Sequence, residues 1–206
     1  MKLRSLAFLL LGAVVGGAIV YTVLSYKHST GPFVGDVRQI ADRSLSWAQP
    51  LAVPPLKNLY KVSDDLYRGA QPTREGFLAL QRLGVKTDVN LRLGGSDAEL
   101  VAGTTIALVE IPAEPWELEN EDVVAFLKVV GDRGRLPAFV HCSHGADRTG
   151  AMTAIYRIAI QGWGKDEAIA EMTQGGFGYH AIWENLPAFI HALDVEAVKR
   201  DAGLAK

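Results

Sequence analysis

The sequence predicts an α/β layered fold, a central and mostly parallel sheet flanked by helices, preceded by an N-terminal membrane helix. Three observations carry that prediction. Short strand-like runs alternate along the chain with helix-like runs, the order from which layered α/β domains are built. A short apolar run, "LPAFVH", passes through a loop of small and polar residues straight into "TGAMTAIYRIAI", a helix apolar around most of its circumference. Residues 5 to 26 carry no charge, and at about 1.5 Å per residue such a stretch reaches roughly 33 Å, enough to span a hydrocarbon core of about 30 Å.

From the N-terminus, residues 1–26 are the expected transmembrane anchor or signal segment. The apolar run exceeds the roughly 7–15 residues of a signal core and no A-x-A site follows it, which favours a retained anchor. Cleavage after Val23-Leu24-Ser25, giving a secreted protein, is the alternative. Lys2, Arg4 and the terminal amine face Lys27 and His28 across the segment, so the positive-inside rule places the following domain outside the cytoplasm. Gly12 and Gly16 form one GxxxG spacing, which ordinary membrane helices also contain.

Residues 27–56 hold Pro32, Pro50, Pro54 and Pro55 without sustained periodicity and read as a linker, with a short helix around Val37 to Trp47. A domain is expected over 57–206. "NLYKVSDDLYRGAQP" alternates on both sides of Ser63-Asp64-Asp65 and predicts a hairpin ended by Pro72. Thr73 caps a helix to Leu83, stopped by Gly84. "VKTDVNLRL" and "TTIALVEIP" are strands. Asn120 is expected to cap a helix whose Val123, Val124, Leu127 and Val130 share a face, ending at Gly131 or Gly134. After the strand "LPAFVH" and the buried helix, two more helices near 165–173 and 183–199 complete the domain.

Composition excludes some classes. Of the 206 residues 49% are hydrophobic, enough for one sizeable core. Lys2, Arg4 and Lys27 lie in the first 30 residues, where there are no acids, so the rest holds 18 basic against 23 acidic residues, a net of −5. That balance argues against a nucleic-acid surface. A single cysteine, Cys142, forms no internal disulfide, so it matters as a thiol.

Cys142 opens the loop between the apolar strand and the buried helix. That arrangement aims a helix N-terminus at whatever the loop encloses, which is an anion site. Backbone N–H groups from Ser143, His144, Gly145 and Ala146 to Arg148 can curl around a phosphate, Gly145 permits the curl, and Arg148 can grip two oxygens bidentately. The same dipoles and charge favour a thiolate at Cys142, and Thr149 can donate its hydroxyl to the sulfur.

These residues, H-C-x5-R-T-G over His141 to Gly150, resemble the signature of the protein tyrosine phosphatase superfamily, in particular its bacterial dual-specificity-like branch. "LYRGAQPTREGFLALQRLGVKTDVNLR" and "WGKDEAIAEMTQGGFG" are similar to the same branch, so the resemblance spans roughly 57 to 190. It implies a tyrosine-phosphatase-like fold and a phosphocysteine mechanism without metal or cofactor. Cys142 attacks phosphorus, an acid protonates the leaving oxygen, and water releases phosphate. The expected substrates are phosphotyrosine- or phosphoserine-type proteins or small phosphoesters. Phosphoinositide or inositol polyphosphate hydrolysis and phosphate-ligand binding without turnover are the alternatives. Sulfur or arsenate chemistry on a similar loop normally draws on partner thiols that this chain lacks.

Secondary roles are expected at several positions. His141 orients the loop through a hydrogen bond, His144 faces substrate or solvent, and Arg68 stands near the site mouth or in a surface ion pair. Trp116, Trp163 and Trp183 are packing residues, and Gln174 is a polar helix end. For the general acid, "IPAEPWELENED" offers no aspartate before Asp122, which belongs to a first helical turn. Glu114 is one candidate. Asp147, inside the loop and matching C-x-x-G-x-D-R-T sequences, is the preferred one, against a role in stiffening the loop.

Overall fold

The structure is a computed structural model of the 206-residue chain, described over residues 11–15, 18–22 and 46–204. In the uncharged N-terminal stretch, strands β1 (Leu11–Val15) and β2 (Ala18–Thr22) pair antiparallel, Leu11 opposite Thr22 and Val15 opposite Ala18. The β-branched Val14, Val15, Ile19, Val20 and Thr22 favour that conformation. The membrane helix expected over 5–26 is thus not supported, and among the described residues no helix is long and apolar enough to cross a membrane. The rest of that stretch lies outside the described residues, as does the helix expected around Val37 to Trp47 except for Ser46 and Trp47, a turn and a bend.

The catalytic-size unit begins earlier than Lys57. Strand β3 (Gln49–Pro50) pairs antiparallel with β4 (Tyr60–Lys61), and β4 pairs with β5 (Leu66–Ala70) across the predicted Ser63–Asp65 turn. Helix α1 (Arg74–Arg82) starts at Thr73, whose hydroxyl accepts from the Gly76 N–H, and Gly84 follows with φ 83°. Strand β6 (Thr87–Asn90), the short helix α2 (Ala98–Val101) and strand β7 (Ala107–Glu110) come next. Helix α3 (Asn120–Val130) is capped by Glu119 rather than Asn120, because the Asp122 carboxylate turns back to accept the Glu119 N–H at 3.1 Å.

Strand β8 (Ala138–Cys142) inserts between β5 and β6, giving a six-stranded sheet in the order β3-β4-β5-β8-β6-β7. Its β5–β8, β8–β6 and β6–β7 pairs are parallel, so the sheet is mixed with a parallel centre. Helices α4 (Asp147–Ala159), α5 (Lys165–Gln174), α6 (Asn185–Ala192) and α7 (Val195–Asp201) follow. The helix expected over 183–199 is thus two, since Asp194 leaves the helical conformation and caps the second by accepting from the Ala197 N–H.

Period-2 alternation in β8 sorts its side chains between two cores. Ala138, Val140 and Cys142 join the cluster built with Phe126, Leu127, Met152, Ile155 and Met172. Phe139 joins Phe77, Leu80 and Ile106 on the other face, and His141 stacks against its ring at 5.5 Å. Both faces of the central strand are buried, as the apolar run requires.

Residues 46–56 are structural and not a linker. The buried Glu171 carboxylate accepts the Ala48 N–H at 2.6 Å and pairs with Arg157 Nε and Nη2, each at 2.7 Å. Arg157 also donates to Ser46 O and Val62 O, and its guanidinium lies 4.2 Å over the Trp163 ring. Removing one member of a buried pair strands the other charge, which costs about 3–5 kcal/mol. Glu171→Ala is therefore expected to lower unfolding free energy by about that amount in urea titrations. A change under about 1 kcal/mol would put the pair in the class of surface ion pairs.

Candidate active site

The site lies beyond the carboxyl ends of the parallel strands, where open α/β sheets place ligands. It is built by the loop from Cys142 to the first turn of α4, and every carbonyl from Cys142 to Ala146 is engaged. Cys142 O meets His141 Nδ1 at 3.3 Å, Ser143 O accepts the Gln71 N–H at 3.3 Å, and His144 O accepts Asn58 Nδ2 at 2.9 Å. Arg68 Nη2 donates to Gly145 O at 2.7 Å and to Ala146 O at 3.3 Å. Carbonyls held outward turn the alternating N–H groups inward, which makes the loop a concave anion receptor. Gly145 sits at φ 71°, and a Cβ there would lie 2.3 Å from the carbonyl of Gly69, so only glycine fits.

Cys142 is buried at the floor of this receptor. Burial opposes ionisation, but the Thr149 hydroxyl, the Thr149 N–H, the Arg148 charge and the Gly145 N–H outweigh it and hold the thiol below its ordinary pKa. Thr149 Oγ1 is buried without an oxygen or nitrogen partner, which leaves it for the sulfur. Arg148 Nη1 donates to Leu91 O at 3.0 Å and Ala113 O at 3.2 Å, beyond the ends of β6 and β7. Those bonds fix the guanidinium while the rest of its fork remains to hold oxygens. Ser143 and His144 are exposed, whereas Ala146 is buried.

His141 orients the loop, as expected, but through a larger device. Its Nδ1 faces Cys142 O, and its Nε2 lies 3.0 Å from Asp97 Oδ2 and 3.3 Å from Asp88 Oδ1. All three side chains are fully buried. Burial alone would expel the charge, yet the two carboxylates prevail and raise the imidazole to a pKa of about 9. Both ring nitrogens face oxygens, which suits a ring protonated on both. Burial pushes the Asp88 carboxyl up. Asp97 is held below its ordinary value because His141, Gln71 and Arg92 outweigh its own burial. These three side chains are close enough to hold a cation, and the imidazolium already supplies the positive charge between the carboxylates.

Other predicted residues are placed differently. Arg68 is at neither the mouth nor the surface. It is fully buried, props the loop from beneath, and stacks 3.8 Å over the Phe177 ring. Asp147 does not stand free in the cradle, since Oδ1 accepts the His180 N–H at 2.8 Å and Oδ2 meets His180 Nδ1 at 2.9 Å. Glu114 is half-buried on the loop after β7 and lines a cavity of about 250 Å³ with Pro112, Glu117, Glu119 and Asp122. Burial and the Glu121 and Glu114 charges push the Asp122 carboxyl up against the Glu119 N–H. Gln174 is an exposed helix end, and Trp116 is an exposed rim residue.

Asn58, Asp97 and His180 were not among the sequence candidates. Asn58 carried a signal, because it occupies φ 51°, a conformation that asparagine tolerates, and it bridges His144 O to Phe177 O. Asp97 and His180 carried none, since each meets the loop only through the fold.

A reduced, buried cysteine in a receptor of inward N–H groups, with an arginine fork and a hydroxyl at the sulfur, defines a cysteine-based phosphatase. Residues 58–183 match the family model described as DSP-PTPase phosphatase fused to NAD+ kinase. The chain belongs to this dual-specificity-type family within the tyrosine phosphatase superfamily and is a phosphoric monoester hydrolase. It is similar to the dual specificity protein phosphatase TpbA of Pseudomonas aeruginosa strain UCBPP-PA14, 34% identical over 192 residues, which cover 93% of this chain and 82% of that protein. A crystal structure of P. aeruginosa TpbA in complex with pTyr aligns with TM-score 0.69 at 34% identity, covering 79% of this chain and 99% of that one. The core of the PP-IP phosphatase SIW14 from S. cerevisiae shares the fold at TM-score 0.63 and 23% identity, over 74% and 94% of the two chains.

The His141 cluster makes stability depend on pH. Its folded pKa of about 9 lies above the ordinary 6.5, so the folded state holds the proton more tightly. That contribution is complete below about pH 6.5 and is lost as pH rises through about 9. Melting temperatures between pH 6 and 10 should fall across this window. In Asp97→Asn, which removes one facing carboxylate and so lowers the folded pKa of His141, the fall should be smaller and end at lower pH.

Proposed function

We propose that the protein dephosphorylates phosphotyrosine- and phosphoserine-type side chains of proteins through a phosphocysteine intermediate. The single observation that carries this reading is the set of outward-held carbonyls around a stabilised Cys142 thiolate. In the first half-reaction Sγ bonds phosphorus as the ester P–O bond breaks, while Arg148 and the loop N–H groups hold the three remaining oxygens. In the second, water attacks phosphorus and the sulfur leaves as a thiolate stabilised by the Thr149 hydroxyl. The route calls on no metal or cofactor.

Protein substrates fit the surroundings better than polyphosphates do. The loop holds no lysine, and the neighbouring rim carries Glu114, Glu117, Glu119 and Asp122, a negative wall against a densely charged ligand. The exposed Trp116 on the same rim offers an apolar face to a side chain. The phosphotyrosine complex of the TpbA relative supports the same choice.

Cys142→Ser should reduce turnover of p-nitrophenyl phosphate by about 10³-fold or more, since a serine hydroxyl is not ionised at neutral pH. Vanadate binding should survive, because the backbone receptor and Arg148 remain. Arg148→Lys should lose about 10²-fold in kcat, as an ammonium cannot reproduce the planar fork. Turnover near wild type in Cys142→Ser would overturn the covalent route, and a substrate panel of phosphotyrosine, phosphoserine and inositol polyphosphate tests the preference.

Residues 5–26 are proposed to attach the protein to a membrane, with the domain on the extracytoplasmic side. The support is the absence of charge over these 22 largely apolar residues and the placement of Lys2 and Arg4. The full chain should resist carbonate extraction. A soluble mature chain beginning near Tyr26 would mean cleavage and secretion instead.

A further inference from the structure

The Asp147 carboxylate is oriented toward one residue. A backbone N–H can only donate, so Oδ1 accepts from His180, and Oδ2 receives Nδ1–H of the same residue at 2.9 Å. Two bonds to one residue fix both the position and the ring of His180. With Nδ1 committed to the carboxylate, Nε2 is the nitrogen left to carry a transferable proton. An imidazole oriented by a carboxylate through Nδ1 is the arrangement by which proteins build a proton donor and acceptor.

The segment that carries His180 is itself clamped onto the Cys142 loop. Asn58 ties Phe177 O to His144 O, the Phe177 ring lies beneath the Arg68 guanidinium, and a Cβ on Gly178 would sit 4.0 Å from Ala146. Beyond it, Asn185 Nδ2 donates to Pro115 O at 2.8 Å, joining this wall to the loop of Glu114. The His180 side chain is 54% exposed, and its ring centre lies 6.0 Å from that of His144, itself an exposed member of the Cys142 loop. The imidazole therefore stands at the solvent side of the loop that holds the phosphoryl group, the side from which a leaving group departs.

We propose that His180 is the catalytic residue that protonates the leaving group, with Asp147 as its positioning residue. The inference rests on the phosphatase reading and names its acid. As the Sγ–P bond forms and the ester P–O bond breaks, the electron pair passes to the ester oxygen, which takes the proton from Nε2. Neutral Nε2 then accepts a proton from the attacking water as the S–P bond breaks, its electron pair returning to Cys142. Phosphate leaves and the imidazolium is restored, so protons and electrons balance. Asp147 stabilises the charged ring before the first step and after the second, and holds the neutral ring in place between them.

The test is kcat/KM over aryl phosphates of increasing leaving-group pKa, with alkyl phosphates at the poor end. His180→Asn should lose about 10²-fold or more on poor leaving groups and little on p-nitrophenyl phosphate, steepening the dependence. Asp147→Asn should steepen it less, because the imidazole remains but is no longer oriented. Vanadate binding and melting temperature, measured on the same variants, separate this from collapse of the loop. A uniform loss across all leaving groups in His180→Asn would overturn the proposal and leave His180 a structural clamp. So would a steepened dependence in Glu114→Gln with none in His180→Asn, which would assign the acid to Glu114. In either case the Cys142→Ser result would stand, so failure of the acid assignment is distinguishable from failure of the covalent route.

Discussion

The receptor depends on where its carbonyls go. A peptide unit that points its oxygen inward would oppose an oxyanion, and five successive units in this loop are held the other way by groups from four separate places in the chain. Arg68 comes from β5, Asn58 from the approach to β4, Gln71 from the end of β5, and His141 from β8 itself. Each such bond to a buried group costs about 1–3 kcal/mol when its partner is lost, so the cradle is fixed before any phosphate arrives. Preorganisation of this kind lets dipoles stabilise developing charge without reorganising.

Maintaining that loop requires buried charge. Arg68 and the imidazolium of His141 lie beneath the cradle with no exposed surface, the first against Phe177 and the second between Asp88 and Asp97. Buried ions are poor stabilisers in their own right, since desolvation cancels most of their mutual attraction. Here they serve a directional purpose. An always-charged planar fork reaches two carbonyls at once, and a doubly protonated ring can only donate.

Layer alternation explains how these parts coexist. Because neighbouring residues of β8 face opposite sides of the sheet, Cys142 packs against α4 while His141 reaches the acids of β6 and α2 from the other side. Nucleophile and loop support are adjacent in sequence yet meet different environments. The wall formed by 176–185 then closes the helix side, joining the Cys142 loop to the loop after β7.

Sequence by itself determined the parts whose causes are local. Thr73, Gly84 and the apolar periodicity of 123–130 encode their helices. The strand from Ala138, the glycine at 145 and the apolar run from Thr149 encode a strand, an anion loop and a buried helix. Cys142, Arg148 and Thr149 were legible because their chemistry requires a short spacing. What only the tertiary structure decided depends on residues far apart in the chain. Arg68 reads as a surface residue until β5 pairs with β8 and places it under Gly145. Ala48 reads as linker until Glu171 accepts its N–H, and Asp147 reads as a free acid until His180 arrives from 33 residues away. The N-terminal stretch shows the converse, because its apolar run serves helix and strand alike and its β-branched residues lean toward strand. A residue type and its near neighbours set what a group can do, but only the fold sets which donor or charge it meets, and those partners decide whether it props, orients or reacts.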